Sequence, residues 1–419
     1  MADISIFKPR TLTNILSKPD SNKIVLVTGA RQTGKSTLVT HYYKDMLYLN
    51  LDAPEIRQQL RKISTFQWQQ TVGTAIIDEA QKEPSIFEKI KFNFDAGKIS
   101  FSVLLGSSQI LLLKNIRESL AGRVSIYELF PLMVSELSTP LGNPVNAPLI
   151  TQFFSSGSIN DVLSNHPATF FGDKQQSLKD SEEYLLGWGG MPALLELAPQ
   201  DRWQWLKDYE QTYLERDLRD IANISDLDPF HKLQRIAALR SGKLLNFSEL
   251  ARDVGISVDT VRRYIEYLRM TYQAALLQPF YNNTTKSMVK TPKLYWLDNG
   301  IWRYLTGYMG QVTGELFETY VINEIYKLVK TNRLNWELFF YRTTSGSEVD
   351  LIISYNQKIL GCEIKMRDTI YPQDIKNLVK LSQEFKTNWY GGIVIYRGDT
   401  LYKIANSDIW VIPSWMLLS

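Results

Sequence analysis

Cysteine is nearly missing from this sequence. Cys362 stands alone among 419 residues, which excludes an internal disulfide framework and suits a reducing cytoplasm. Long apolar runs are missing as well. Met1–Lys18 lacks the continuous apolar segment of a secretory signal. The longest apolar stretch, Phe101–Leu113, is broken by Gly106, Ser107, Ser108 and Gln109, so no membrane span is expected. Neither sign of charge dominates: the formal net charge of +3 neither demands nor excludes a nucleic-acid partner. Tandem repeats and low-complexity tracts are absent, and the chain reads as folded throughout. What remains is 44% hydrophobic and 22% charged, an ordinary soluble composition long enough for roughly two to four domains.

Short apolar runs alternate with helical patterns at Ile24–Thr28, Met46–Leu51, Ala75–Asp78, Phe101–Gly106 and Val124–Leu129. Apolar runs of that length with helices between them predict a parallel α/β sheet. The first run leads into Gly29-Ala30-Arg31-Gln32-Thr33-Gly34-Lys35-Ser36-Thr37, which opens a helix. That is the setting of a phosphate-binding loop, in which the glycines let backbone N–H groups face the phosphates and the helix N-terminus favours anions. Lys35 then neutralises the β- and γ-phosphates and the Ser36 hydroxyl ligates magnesium, so the expected ligands are ATP and Mg. The third run ends in Asp78-Glu79, placing Asp78 at the metal and Glu79 beside the attacking water. Ser107, or Ser108 next to it, ends the fourth run where a γ-phosphate sensor is expected. Arg123 precedes the fifth, positioned either to reach a neighbouring subunit's γ-phosphate or to pair with Glu118 or Glu128 on its own surface.

Leu137 to about Leu227 reads as mainly helical, with a proline- and glycine-rich loop at its start. Asn246-Phe247-Ser248-Glu249 has the form of a capping box. Ala251, Gly255 and Val261 then fall at helix-turn-helix offsets, and Ser257 caps a second helix. Two strand-like runs follow, Ala274–Tyr281 and Leu294–Leu297, and the whole predicts a winged helix. Arg262 and Arg263 on its second helix, with Lys286, Lys290 and Lys293 on the wing side, make a footprint for DNA or RNA backbone. Glu266 dilutes that face, and the same unit serves equally as a lid or interaction module.

The final stretch carries a constellation of charge. Glu318 lies on an amphipathic helix, Glu315–Lys330. Asp350 opens a strand, and Glu363 and Lys365, two residues apart on the next strand, share a face. Asp350, Glu363 and Glu318 are candidate magnesium ligands and Lys365 the charge that steadies a reacting phosphate. That is the pattern of restriction-endonuclease-like domains; the competing reading is a charged cross-strand pair on a solvated sheet.

Together GARQTGKST (29–37), IIDEAQ (76–81), LLGSSQ (104–109), SLAGR (119–123), GGMPALLEL (189–197), YLERDLRDI (213–221), KLYWLDNGI (293–301) and EVDLII (348–353) resemble the prokaryotic AAA-type ATPases that carry a C-terminal domain of unknown function. The resemblance covers nearly the whole chain. It implies an α/β protein: a P-loop ATPase core over residues 1–138, a helical lid over 139–228, a winged helix over 229–284 and a restriction-endonuclease-like domain over 285–419. It further implies Arg123 as an arginine finger, Arg216 or Arg219 as lid sensors, and a cytoplasmic homo-oligomer with nucleotide at subunit interfaces. The expected function is an ATP-hydrolysing switch or motor acting on nucleic acid. The alternative is an ATP-gated assembly protein whose tail docks protein partners without cutting.

Overall fold

The computed structural model describes residues 7–106, 120–214, 227–280 and 290–419. Its first sheet has five strands in the order β2-β3-β4-β1-β5, all parallel. They are β1 (Lys23–Thr28), β2 (Leu47–Asn50), β3 (Ala75–Asp78), β4 (Phe101–Gly106) and β5 (Val124–Glu128). Each matches an apolar run of the sequence; helices bury both faces of the central β1, β3 and β4 and leave them no solvated side, while the edge strands β2 and β5 are partly exposed. Val25, Val27, Ile76 and Val103 pack against Leu38 and Val39 of the Lys35–Tyr42 helix. Ile24, Leu26, Ile77 and Leu104 pack against Phe87 and Ile90 of the Ser85–Asp95 helix on the other face. Truncating Phe87, fully buried there, would cost about 3–5 kcal/mol.

The second sheet has nine strands, β13-β14-β12-β11-β10-β9-β7-β8-β6, and mixes directions. Two parts of the chain build it. β6 (Lys243–Leu244), β7 (Ala274–Pro279) and β8 (Lys293–Trp296) frame a helix-turn-helix. β9 (Glu337–Arg342), β10 (Glu348–Tyr355), β11 (Lys358–Lys365), β12 (Trp389–Tyr396), β13 (Tyr402–Lys403) and β14 (Ile409–Pro413) form the tail. The seam is a short parallel pairing, Gln278 with Phe339 and Pro279 with Phe340.

Helix-turn-helix chemistry is visible in its caps. Asn246 accepts the Glu249 N–H at 3.1 Å, Gly255 turns at φ 86°, and Ser257 accepts the Thr260 N–H at 3.1 Å. The reciprocal half of the expected box gives way to another partner, since the Glu249 carboxylate takes the Arg240 guanidinium at 2.8 Å. Residues 139–214 are shared between two cores. Leu149, Phe153, Leu185 and Leu186 pack with the tail. Met191, Leu194, Leu206 and Tyr209 pack with the helix-turn-helix.

The Gly314–Thr331 helix departs from the amphipathic expectation, for its polar Thr319, Asn323, Glu324 and Lys327 are buried too. Each takes a partner from another part of the chain, although Asn323 Oδ1 has no hydrogen-bond partner. Ser241 meets Thr319, the Trp296 carbonyl accepts from Asn323, Glu324 accepts the Val134 N–H at 2.7 Å, and Lys327 donates to the Leu132 carbonyl at 3.3 Å. One helix thus ties the tail to both other regions.

Candidate functional site

The 29–37 loop leaves β1 in a conformation that glycine permits. Gly29 has φ 149°, and a Cβ there would lie 2.0 Å from the Leu129 carbonyl oxygen. Gly34 takes φ 89° as it opens the next helix. Thr33 is fully buried and folds its hydroxyl onto the Ala30 carbonyl at 2.9 Å. The Lys35 amine lies within the loop, donating to the Gly29 and Ala30 carbonyls at 3.0 and 2.8 Å. A cavity of about 240 Å³ opens beside it, lined by Phe7, Gly34, Thr37, Leu132, Pro192 and Ala193. A larger cavity of about 540 Å³, near Ser135, Ser177 and Met416, is away from these groups.

At the end of β3 the acids meet the loop. Ser36 donates to Asp78 Oδ2 at 2.5 Å, Tyr48 donates to the same oxygen at 2.6 Å, and the Glu79 N–H reaches Oδ1 at 2.8 Å. Burial and the Asp78 charge push the Tyr48 phenol above its ordinary range. Glu79 sits at φ 52°, with its carboxylate 2.5 Å from Gln81 Nε2 and 4.0 Å from Arg31 Nη1. A hydroxyl and a carboxylate in contact are the hard oxygen donors magnesium takes, so this pair fits that ion.

In the tail, Asp350, Glu363 and Lys365 come together. Lys365 Nζ is 2.6 Å from Glu363 Oε2 and 3.4 Å from Asp350 Oδ2, the oxygen that also accepts the Ile364 N–H at 2.8 Å. Burial and the Asp350 charge raise the Glu363 carboxyl, against the pull of Lys365. Glu363 Oε1 is buried with no hydrogen-bond partner. Glu318 accepts from Tyr295 at 2.7 Å and Lys293 at 3.2 Å, and burial together with the Asp350 charge raises its carboxyl. Among the described residues no three His, Cys, Asp or Glu side chains gather as a metal site. Lys293, expected on an exposed wing, is 3% exposed and clamped between Glu318 and Glu348, the latter at 2.6 Å. Burial alone would lower its pKa, but Glu318, Glu348 and Asp350 raise it.

Residues 21–138 match the family described as AAA domain. Those residues hold the whole loop, Asp78 and Glu79. Residues 21–138 are an AAA domain. Residues 178–311 and 313–417 match two domains of unknown function, DUF8612 and DUF4143 respectively. An uncharacterized protein of Mycobacterium tuberculosis is 26% identical over 360 residues, 83% of this chain and 71% of that one. Another, from Methanocaldococcus jannaschii, is 24% identical and covers 94% of this chain and 88% of its own. A Walker-type ATPase of Pyrococcus abyssi has a TM-score of 0.41 at 15% identity, over 71% of this chain and 98% of that one. The AAA domain is ATP-binding in character, and no helix among the described residues is long and apolar enough to cross a membrane.

Sequence reasoning missed three residues around the AAA domain's loop. Arg10 is buried and donates to the Thr33 carbonyl at 2.8 Å, the Phe130 carbonyl at 2.5 Å and Glu136 at 3.0 Å. Tyr272, at φ 60°, packs on Ala30 and Phe130 and donates to Glu128 at 3.0 Å. Tyr209 donates to the Arg31 carbonyl at 3.2 Å. Only tertiary contact distinguishes them, and no local pattern marks them out. Arg123 grips Asp95, and Glu128 accepts from Tyr272. Ser107, Ser108, Glu118, Arg216, Arg219 and Lys286 lie outside the described residues.

Proposed function

We propose that the AAA domain hydrolyses magnesium-bound ATP and that the turnover drives the helix-turn-helix and tail on nucleic acid. The observation that carries the hydrolytic reading is the Ser36–Asp78 contact, 2.5 Å, with Glu79 as the next residue. Lys35 moves its amine from the loop carbonyls to phosphate oxygens, and the cavity beside Phe7 and Pro192 receives the base. Magnesium, when bound, supplies positive charge to the phosphate oxygens. Glu79, released from Gln81 and Arg31, polarises the attacking water, and Ser107 senses the γ-phosphate. Arg123 acts in a neighbouring subunit of a homo-oligomer, which requires it to leave Asp95.

The nucleic-acid reading is supported by Arg262 and Arg263, both exposed on the second helix of what we take as a winged helix. The nuclease-like reading of the tail is supported by the buried, unpartnered Glu363 Oε1, an oxygen that a metal would satisfy. A second reading has the tail docking protein partners without cleavage. It is favoured by Lys365, which already pairs with both Asp350 and Glu363. The two readings part in one assay: ATP turnover measured with and without DNA or RNA. Stimulation supports action on nucleic acid, and a rate indifferent to both supports the docking reading.

A further inference from the structure

Asp78 is held from three sides, and one of its partners belongs to neither motif. Ser36 comes from the loop and the Glu79 N–H from the strand's own continuation. Tyr48 comes from β2, the edge strand of the sheet. In the parallel register Tyr48 lies opposite Ile76 and Asn50 opposite Asp78, so these four side chains share a face. The Tyr48 ring leans along the strand to bring its hydroxyl to the level of Asp78. Packing does not account for this, because Tyr48 is 39% exposed and the engaged part is its hydroxyl.

A carboxylate offers about four acceptor positions. Ser36, Tyr48 and the Glu79 N–H take three, which fixes the rotation of the group and leaves one direction open. Without the phenol, Oδ2 would rest on Ser36 alone, and Ser36 must also turn its own oxygen to the cation. We propose that Tyr48 is a positioning residue that holds Asp78 in the orientation that receives the divalent cation accompanying the nucleotide. This rests on the reading of Ser36 and Asp78 as the cation-holding pair.

The test is binding without turnover, by calorimetry on the full chain with a non-hydrolysable ATP analogue, in EDTA and across a magnesium series. Tyr48→Phe keeps the ring and removes one O–H. The expected result is unchanged affinity in EDTA and a magnesium half-saturation raised roughly five- to tenfold, the effect of losing one hydrogen bond to a charged group in a partly solvated place. An unchanged magnesium response overturns the inference. So does an equal loss in EDTA, which would make Tyr48 a structural residue of the edge strand. Lys35→Ala, run alongside, is expected to lose affinity in both conditions. If it binds as the wild type does, the site reading itself fails, and the Tyr48 role falls with it.

Discussion

Arg123 grips Asp95 through two parallel hydrogen bonds, 2.5 Å from Nε and 2.8 Å from Nη2, and turns its remaining nitrogen to the Ala121 carbonyl. The pair raises the arginine pKa and lowers the aspartate's through hydrogen bonding first and charge second. Asp95 is exposed and Arg123 half-buried at the surface, so water screens the pair and it adds little to stability. An arginine kept pointed by a weak surface clamp is one that a competing phosphate can take.

The first prediction follows from that clamp. Arg123→Ala should lower ATP turnover by at least about 100-fold with little change in ATP affinity, since a finger acts on the transition state. Mixing Arg123→Ala with Glu79→Gln subunits should restore part of the rate, because one hybrid interface regains both groups. Light scattering that finds a monomer at every concentration with ATP present would remove the role in trans.

Arg10 makes a stability prediction. Its guanidinium and the Glu136 carboxylate are both buried, and Glu136 also accepts the Thr11 N–H at 2.8 Å. Removing one partner leaves the other's charge buried, so Glu136→Ala should destabilise the AAA domain by about 3–5 kcal/mol. Urea unfolding measures this, and a midpoint equal to the wild type's would mean the brace carries no weight.

Glu182 carries the pH prediction. Burial pushes its carboxyl from the ordinary 4.5 up to about 7, with the Glu324 charge adding and Arg397 and Lys179 opposing. The folded chain therefore holds this proton more tightly than the unfolded chain. The stability it confers is complete below pH 4.5 and is lost as pH rises toward 7, at about 1.4 kcal/mol per unit. Above pH 7 its contribution is flat. Glu182→Gln should flatten the fall in urea midpoint between pH 5 and 7, and two parallel curves would refute the assignment.

The five-stranded sheet and the phosphate loop were legible because local signals and tertiary outcome agree there. The central strands β1, β3 and β4 are buried on both faces, so their apolar runs stand out without any partner being known. Period-two spacing likewise put Glu363 and Lys365 together, and the helix-turn-helix announced itself through Asn246, Gly255 and Ser257. Lys293 misled for a physical reason. A lysine near a turn reads as exposed, yet Glu318 and Glu348 arrive from two other elements and make its burial affordable. The β7–β9 seam was equally hidden, since only two residue pairs form it and edge pairing leaves no mark in either strand.

The tail makes a separable prediction. Asp350→Ala or Glu363→Ala should abolish any cleavage of DNA or RNA in magnesium or manganese while leaving ATP turnover intact, because the cluster lies in the second sheet and the loop in the first. Intact substrates under conditions where the wild type consumes ATP would favour the docking reading. Salt-sensitive binding without cutting would point to a clamp built on a nuclease-like fold.

The central claim is that the AAA domain hydrolyses ATP with Lys35 on the phosphates and Glu79 at the water. Phosphate release by the full chain in magnesium, with bound nucleotide measured on the same samples, tests it most directly. The account predicts turnover by the wild type and losses of at least about 100-fold in both Lys35→Ala and Glu79→Gln. It further predicts that Glu79→Gln retains ATP and Lys35→Ala does not. Undiminished hydrolysis in both variants would contradict it.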